Sequence, residues 1–346
     1  MGTDPSSQHI ENFTESKQYN TNEEIFQNPT VITTMLARPW YEVTYDFIFN
    51  GENRRPVEKL PEDPPALSEL ENKSQDVRFI WFGHSTILLE LNGKRILIDP
   101  VFSNYASPIP GIAERFQAPV IELEEIPDID VVLISHDHYD HLDYETIEKL
   151  KNRGLPFIVP LGVGAHLKYW GVTSDKITEL DWWEETSFAG LTFTCTPSQH
   201  FSGRGMFNRN TTLWASWAIK GTQQNIYFSG DSGYSEHFKE IGERLGPFDI
   251  AFLENGAYNK DWKFVHQLPE EGVQASLDLR SKAMIPIHWG MFDLALHTWY
   301  EPIQRVTKEA KKKGVNIIAP KLGQLVYIEE QYKQEDWWTP LIEKLK

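Results

Sequence analysis

The stretch "SHDHYDHLD", residues 135 to 143, holds three histidines and three aspartates directly after the apolar run "VVLI". Imidazole and carboxylate without sulfur suit zinc, and also iron or manganese. On a turn just past a strand, His136 and His138 are expected to project together while Asp140 and His141 swing to the other side. A cluster of this kind supplies part of two metal sites rather than one complete site.

Completing a dinuclear centre takes ligands from the ends of later strands. Three candidates follow apolar runs: His200 after "LTFTCTPSQ", Asp231 after "NIYFSG" and His288 after "AMIPI". Two divalent ions about 3.5 to 4 Å apart acidify a water and clamp the attacking and leaving oxygens of a phosphodiester, so such a site needs no serine or cysteine nucleophile. The bland alternative for "HDHYDH" is a charged surface loop, but four ligand-type residues in this order after a strand rarely arise by chance. His84 and Asp99 follow or close strands that run toward the site, where such groups commonly orient ligands by hydrogen bonds. His9, His166, His237 and His297 read as structural or solvated histidines, and Cys195 as a buried, inert thiol.

The elements that must position these groups show in the texture of the chain. Residues 1–75 are polar and rich in Pro, Asn and Glu, with one aromatic island, "LARPWYEVTYDFIF", and read as an extended arm packing on a core. Short β-rich runs begin near residue 76, and Asn92-Gly93 marks a tight hairpin. The segment "TTLWASWAIKGTQQNIYFSGDSG" repeats that strand-turn-strand logic and closes on Asp231 as the first closes on Asp99, which points to two similar halves. Helical periodicity appears in "LDYETIEKLKNRG", "YSEHFKEIGERLG", "LPEEGVQASLDLRSK" and "EPIQRVTKEAKKKG". The expected class is therefore α/β with helices outside the sheets, followed by a helical tail over 331–346.

Composition narrows the function. With 50 acidic against 33 basic residues the net charge is -17, the opposite of a nucleic-acid binder's footprint, and this argues against a nuclease. An anionic substrate must then meet a local positive site, such as metal ions. A single cysteine excludes internal disulfides and thiolate zinc clusters. The polar N-terminus and the absence of any apolar run of about 18 residues predict a soluble, cytoplasmic protein. "DWWEE" reads as core aromatics, and Lys311 to Lys313 as a solvated helix end.

"HDHYDH" matches the His-x-His-x-Asp-His signature of the metallo-β-lactamase superfamily, and "SQH", "SGDSGY" and "IPIHWG" fall in that superfamily's order. Through "WFGHSTILLE", "LISHDHYDHLDY", "ELDWWEE", "TPSQH", "GPFDIAFLENGAY" and "IPIHWG", residues 75–330 resemble the N-acyl-phosphatidylethanolamine-hydrolysing phospholipase D family. The resemblance implies an αββα sandwich, two mixed β-sheets packed face to face with helices outside, over a hydrolase domain at 76–330. It implies two divalent ions, zinc first, with His136, His138 and His200 on one, Asp140, His141 and His288 on the other, and Asp231 bridging. It adds His266, in "KFVHQLPEEG", at the rim of the active site, so that Asp140, Asp231 and His266 are the catalytic candidates.

The reaction implied is attack of a metal-bridging hydroxide on phosphorus, releasing N-acylethanolamine and phosphatidic acid. A phospholipid or other small-molecule substrate, transient contact with a membrane surface and a homodimer go with it. The candidate lining segments are "YASPIPGIAERFQAPV" and "SGRGMFNRN", the second carrying Arg204 and Arg209 toward a phosphate. A metal-dependent lactonase or carboxylic ester hydrolase is the competing expectation, because loops rather than ligands decide between these chemistries. A non-catalytic metal-binding or scaffold protein is the alternative of another class.

Overall fold

The computed structural model describes residues 1–30, 32, 38–330 and 332–345, with the side chains of 7–9, His9 among them, outside the description. Ahead of the large sheets come α1 (Ser7–Phe13), a small ladder of β1 (Tyr19–Asn20) with β2 (Ile25–Phe26), and α2 (Trp40–Phe49). Trp40–Phe49 of the aromatic island are therefore a helix where an extended arm was expected, while residues 36 and 37 of it lie outside the description. Its apolar residues are spaced so that Val43 and Phe47 share one face and dock inward. Phe13, Tyr19 and Phe26 meet edge-on or tilted and join the central core, so this segment is anchored by burial.

The first sheet is laid down by β3 (Arg78–Trp81), β4 (Ile87–Leu91), β5 (Lys94–Ile98), β6 (Val131–Leu133), β7 (Phe157–Pro160) and β8 (Ile177–Leu180). The second follows with β9 (Glu185–Phe188), β10 (Leu191–Thr196), β11 (Ser216–Lys220), β12 (Asn225–Phe228), β13 (Ile250–Glu254) and β14 (Ala283–Ile287). β15 (Leu325–Tyr327) returns to the first sheet beside β3, giving the orders β15-β3-β4-β5-β6-β7-β8 and β14-β13-β12-β11-β10-β9. Asn92 and Gly93, at φ 49° and 71°, make the mirror-image turn that a twisted hairpin requires between β4 and β5.

The two halves repeat one pattern. β3, β4 and β5 pair antiparallel and β5, β6 and β7 parallel; β10, β11 and β12 pair antiparallel and β12, β13 and β14 parallel. Strand alternation sorts the side chains by layer. Ile87, Leu89 and Leu91 of β4 face the core between the sheets, while Leu88 faces the other way, into a cluster with Ile147 and Leu167. Phe79 meets Phe252 edge-on at 5.0 Å, which ties the two inner faces together.

Helices close the outer layers. α3 (Tyr144–Leu150) starts at Asp143, whose carboxylate accepts the backbone N–H groups of Glu145 and Thr146. α3 and α4 (Val163–Tyr169) cover the first sheet. α5 (His237–Leu245), α6 (Pro269–Asp278) and α7 (Glu301–Lys313) lie on the second, with α6 against β13 and β14; α8 (Thr339–Glu343) ends the chain. The order helix, sheet, sheet, helix is the αββα sandwich expected from the sequence. Trp182 donates its indole N–H to Trp214 O within this core, and Cys195 is buried, its thiol pushed well up by burial.

A buried ion triad fastens the end of the N-terminal segment to the first sheet. Glu90 accepts from Arg78 Nε at 2.9 Å and from Arg95 Nε at 2.6 Å, while Arg78 donates to Asn72 O and Arg95 to Leu70 O. Glu90→Ala leaves two buried guanidiniums without their carboxylate. It is expected to lower the unfolding free energy by about 3–5 kcal/mol, read from the urea midpoint, and Glu90→Gln is expected to cost less.

Candidate metal centre

Every residue of the cluster sits just past a strand at one edge of the sandwich: 135–143 after β6, His200 after β10, Asp231 after β12, Glu254 at the end of β13, and His288 after β14. His84 lies in the turn from β3 to β4. The structure brings all seven predicted ligand-type residues together. His138 Nδ1 lies 2.9 Å from His136 Nε2 and 3.2 Å from His200 Nε2. Asp231 Oδ2 is 3.9 Å from His136 Nε2 and 3.7 Å from His200 Nε2.

On its other side Asp231 approaches His141 Nε2 at 3.1 Å and His288 Nε2 at 3.0 Å. Asp140 Oδ2 lies 3.6 Å from His141 Nε2 and 3.4 Å from His288 Nε2. Two groups result, His136 with His138, His200 and Asp231, and His84 with Asp140, His141 and His288. Within each the ligand atoms all lie within 4.8 Å of one another. A third group, Asp231 with Glu254, His266 and His288, shares two of these residues.

The donor set passes a simple test for a divalent cation. His141 Nε2, Asp231 Oδ1 and His288 Nε2 are buried without a hydrogen-bond partner among the described residues. Converging nitrogen and oxygen lone pairs are costly to bury unless something positive sits between them, and imidazole with carboxylate is a zinc-type set. The electrostatics agree. Burial pushes Asp231 up, but His141 and His288 outweigh it and hold the carboxyl well below the usual range. His288 is driven down by burial yet raised to about 10 by Asp231 and Asp140. Protons and cations compete for these lone pairs, so metal uptake releases protons.

Neighbouring groups fix the rings. Asp99 Oδ2 accepts from His141 Nδ1 at 2.7 Å, and its Oδ1 accepts the Ser135 N–H at 2.7 Å. Ser135 Oγ lies 2.9 Å from His136 Nδ1, and His200 Nδ1 donates to Val265 O at 2.9 Å. Burial pushes His84 down to about 3, so the neutral ring presents its Nε2 to Asp140 Oδ2 at 2.9 Å. His84, Asp99 and His288 all take left-handed backbone, φ 52°, 40° and 64°. Each costs about 1–3 kcal/mol, and the His288 N–H to His84 O bond of 2.8 Å helps hold two of them. A Cβ on Gly256 would fall 1.9 Å from His288 O, so glycine is obligatory there.

The centre floors a pocket of ≈ 500 Å³. His266 lines it, with Nδ1 3.1 Å from Glu254 Oε2; Glu254 also accepts the Ser232 and Gln267 N–H groups. Glu254 escaped the sequence reading, although an acid closing an apolar strand in "AFLENGAY" was the available signal. Val43 and Phe47 of α2 form part of the wall, also unforeseen.

Two expectations are corrected. No residue of 105–120 lines this pocket; Arg115 there folds back over Phe292 and donates to Val101 O and Ser103 O. Arg204 is buried, donating to Asp137 O at 2.6 Å and Leu142 O at 2.7 Å with its guanidinium 4.0 Å from the Tyr139 ring centre, so it braces the ligand loop and does not face the pocket. Arg209 does line it. Asp137 pairs with buried His166 at 3.2 Å beneath the same loop. His237 contacts Ser235 Oγ, and His297 donates to Thr298 O.

Asp99→Asn keeps the shape but removes the charged acceptor of His141. Metal affinity in a chelator competition is expected to fall about 10- to 100-fold, with far-ultraviolet circular dichroism unchanged.

The family model for a β-lactamase superfamily domain matches residues 94–289. An uncharacterised protein of Mycobacterium tuberculosis is 41% identical over 316 residues, 90% of this chain and 84% of its own length. The N-acyl-phosphatidylethanolamine-hydrolyzing phospholipase D 1 of Caenorhabditis elegans is 34% identical over 307 residues, 81% of this chain and 84% of that protein. Among solved structures, the metallo hydrolase Igni18 of Ignicoccus hospitalis superposes with a TM-score of 0.58 at 22% identity, covering 74% of this chain and 99% of that one. The chain belongs to the metallo-β-lactamase superfamily of metal-dependent hydrolases, in the family of the N-acyl-phosphatidylethanolamine-hydrolysing phospholipases D.

Proposed function

We propose that the protein is a phosphodiesterase of the phospholipase D type that hydrolyses N-acyl-phosphatidylethanolamine. The observation that carries this reading is the combination, in one pocket, of apolar walls with the His/Asp cluster at the floor. Val43, Phe47, Phe201, Trp262, Val265 and Leu294 can shelter acyl chains, and Arg209 lies on the same wall with its guanidinium 4.1 Å from the Phe201 ring centre. A phosphodiester is an anion with long apolar substituents, and it needs both surfaces.

In this reading His136, His138 and His200 hold one divalent ion, Asp140, His141 and His288 a second, and Asp231 both. Zinc is the first candidate by donor type. When bound, such ions lower the pKa of water and neutralise phosphate oxygens. The chain's own residues do the rest. Asp231 and Asp140 fix the floor, Arg209 draws the phosphate into an otherwise acidic protein, and the pocket walls exclude bulk water. As a water oxygen bonds to phosphorus, the bond from phosphorus to the ethanolamide oxygen breaks. His266, held through Nδ1 by Glu254, has its Nε2 lone pair available to take the proton that the water gives up and pass it to that oxygen. The products are phosphatidic acid and N-acylethanolamine.

Access from a bilayer is part of the proposal. Beside the mouth, Trp40 (71% exposed), Tyr41, Tyr45, Ile48 and Phe49 of α2, with Met206 and Phe207 (96% exposed), present aromatic and aliphatic side chains to solvent. Clusters of this kind mark interaction surfaces, and tryptophan and tyrosine favour the membrane interface. No described helix is long and apolar enough to cross a membrane. In this proposal the protein works from the cytoplasm, resting on a surface, and its charge of -17 favours zwitterionic over anionic bilayers.

Elemental analysis is expected to give two metal ions per chain, and the same preparation to hydrolyse N-acyl-phosphatidylethanolamine in preference to bis(p-nitrophenyl) phosphate and to a lactone. Turnover of the lactone alone would replace the phosphodiesterase by a carboxylic ester hydrolase, and a metal-free, inactive protein would point to a scaffold. Asp231→Ala and His138→Ala should each lower bound metal and abolish turnover in a folded chain; full activity in either sinks the assignment. Replacing Trp40, Phe49 and Phe207 together by serine should cut sedimentation with phosphatidylcholine vesicles about tenfold or more, each lost apolar contact being worth roughly 1.5–3 kcal/mol at most. KM on vesicle substrate should rise while hydrolysis of soluble bis(p-nitrophenyl) phosphate stays unchanged.

A further inference from the structure

Next to the pocket, and sharing Ala257, His288 and Leu294 with its wall, lies a smaller cavity of ≈ 20 Å³ lined also by Arg54, Asp293, His297 and Trp299. Five buried polar atoms of these residues have no hydrogen-bond partner among the described residues: Arg54 Nη1, His288 Nδ1, Asp293 Oδ1, His297 Nε2 and Trp299 Nε1. So many unsatisfied atoms on the residues that line one small space is unusual, because buried polar groups are nearly always paired. The volume suffices for one water, which needs about 10–15 Å³ and two to four polar partners.

The atoms also match a water in kind. His288 Nε2 faces Asp140 and Asp231, so Nδ1 on the opposite side of the ring carries the remaining N–H. Arg54 Nη1 and Trp299 Nε1 are donors as well. Asp293 Oδ1 is an acceptor, and so is His297 Nε2, because His297 Nδ1 donates to Thr298 O at 3.0 Å. A water has two hydrogens for the two acceptors and two lone pairs for two of the three donors. His136, His141 and His200 each have a partner for Nδ1, in Ser135, Asp99 and Val265; His288 is left without one. A ligating histidine whose second nitrogen lacks an acceptor is poorly oriented.

We propose that this cavity holds one ordered water that accepts the His288 Nδ1 hydrogen and donates to Asp293, which makes Asp293 and Arg54 positioning residues for His288. The inference rests on the reading of His288 as a metal ligand. Its reach is longer than one ring. Arg54 Nη2 lies 3.4 Å from Asp293 Oδ2 and donates to Phe47 O at 2.6 Å, in the last turn of α2. The helix that forms the pocket wall is thereby linked to the back of a ligand.

A crystal structure of the zinc-loaded full chain, at a resolution that shows ordered solvent, tests the water directly. Density about 2.6–3.2 Å from both His288 Nδ1 and Asp293 is expected, and a dry cavity or a direct side-chain bond to Nδ1 overturns the proposal. Zinc titrations against a chromophoric chelator test the role. Asp293→Ala should weaken one of the two zinc sites about 10- to 100-fold, with KM unchanged and the lost kcat restored by excess zinc. His288→Ala serves as the reference. If it keeps both ions at full affinity, the metal reading itself fails. If it loses one while Asp293→Ala binds zinc as the unaltered protein does, only the water relay is overturned. Should Asp293→Ala fold poorly, the crystal structure of the unaltered chain still decides.

Discussion

Asp231 is a buried carboxylate within 4 Å of ring nitrogens from His136, His141, His200 and His288. That concentration of lone pairs in a low-dielectric interior is the constraint to which the rest of the architecture answers. Such a set cannot be left to mobile loops, because imidazoles that drift apart lose the cation and those that crowd without it meet at van der Waals contact. The sandwich meets this by ending one strand after another at the same edge. β6, β10, β12 and β14 each deliver a ligand-type residue within a few positions of their last ladder bond. The short reach from strand to ligand is what keeps the set rigid.

Rigidity is bought locally with strained backbone at His84, Asp99 and His288. Cross-bonds between the halves hold two of them, His84 and His288: His288 N to His84 O, and His84 N to Trp289 O. The pseudo-repeat has a functional consequence here. Asp99 and Asp231 close equivalent hairpins of the two halves, yet one orients a histidine and the other joins the cluster. Of the two, only Asp231 reaches the pocket lining.

Much of this was legible in the chain. A carboxylate or imidazole one to four positions beyond an apolar run announces a strand-end ligand, and Asn92-Gly93 announces a hairpin, because both signals are local. What escaped depended on distant partners. Arg204 and Arg209 lie five positions apart in one loop, yet Arg204 turns under the ligand loop to bind Asp137 O and Leu142 O, and Arg209 turns to the pocket. Nothing in "SGRGMFNRN" separates them. The helix α2 was missed because its apolar residues are divided between an inward face and solvent, so composition suggested an arm and only packing against Trp262 shows a wall.

That division of legibility follows the division of labour in the molecule. Ligand-type residues belong to the repeated core, where strand geometry dictates their spacing, and this core is compatible with several hydrolytic chemistries. Selection among substrates must then come from segments that the repeat does not specify. In this chain those include α2 and residues 201–209, which supply Val43, Phe47, Phe201 and Arg209 to the pocket. Both are fastened to the centre rather than hung beside it: Arg54 ties the end of α2 toward Asp293 behind His288, and Tyr139, inside the ligand loop, donates to Arg204 O. A change of substrate in a relative of this fold therefore need not touch a ligand-type residue, but it cannot replace these segments without also replacing the contacts that hold the His/Asp cluster in place.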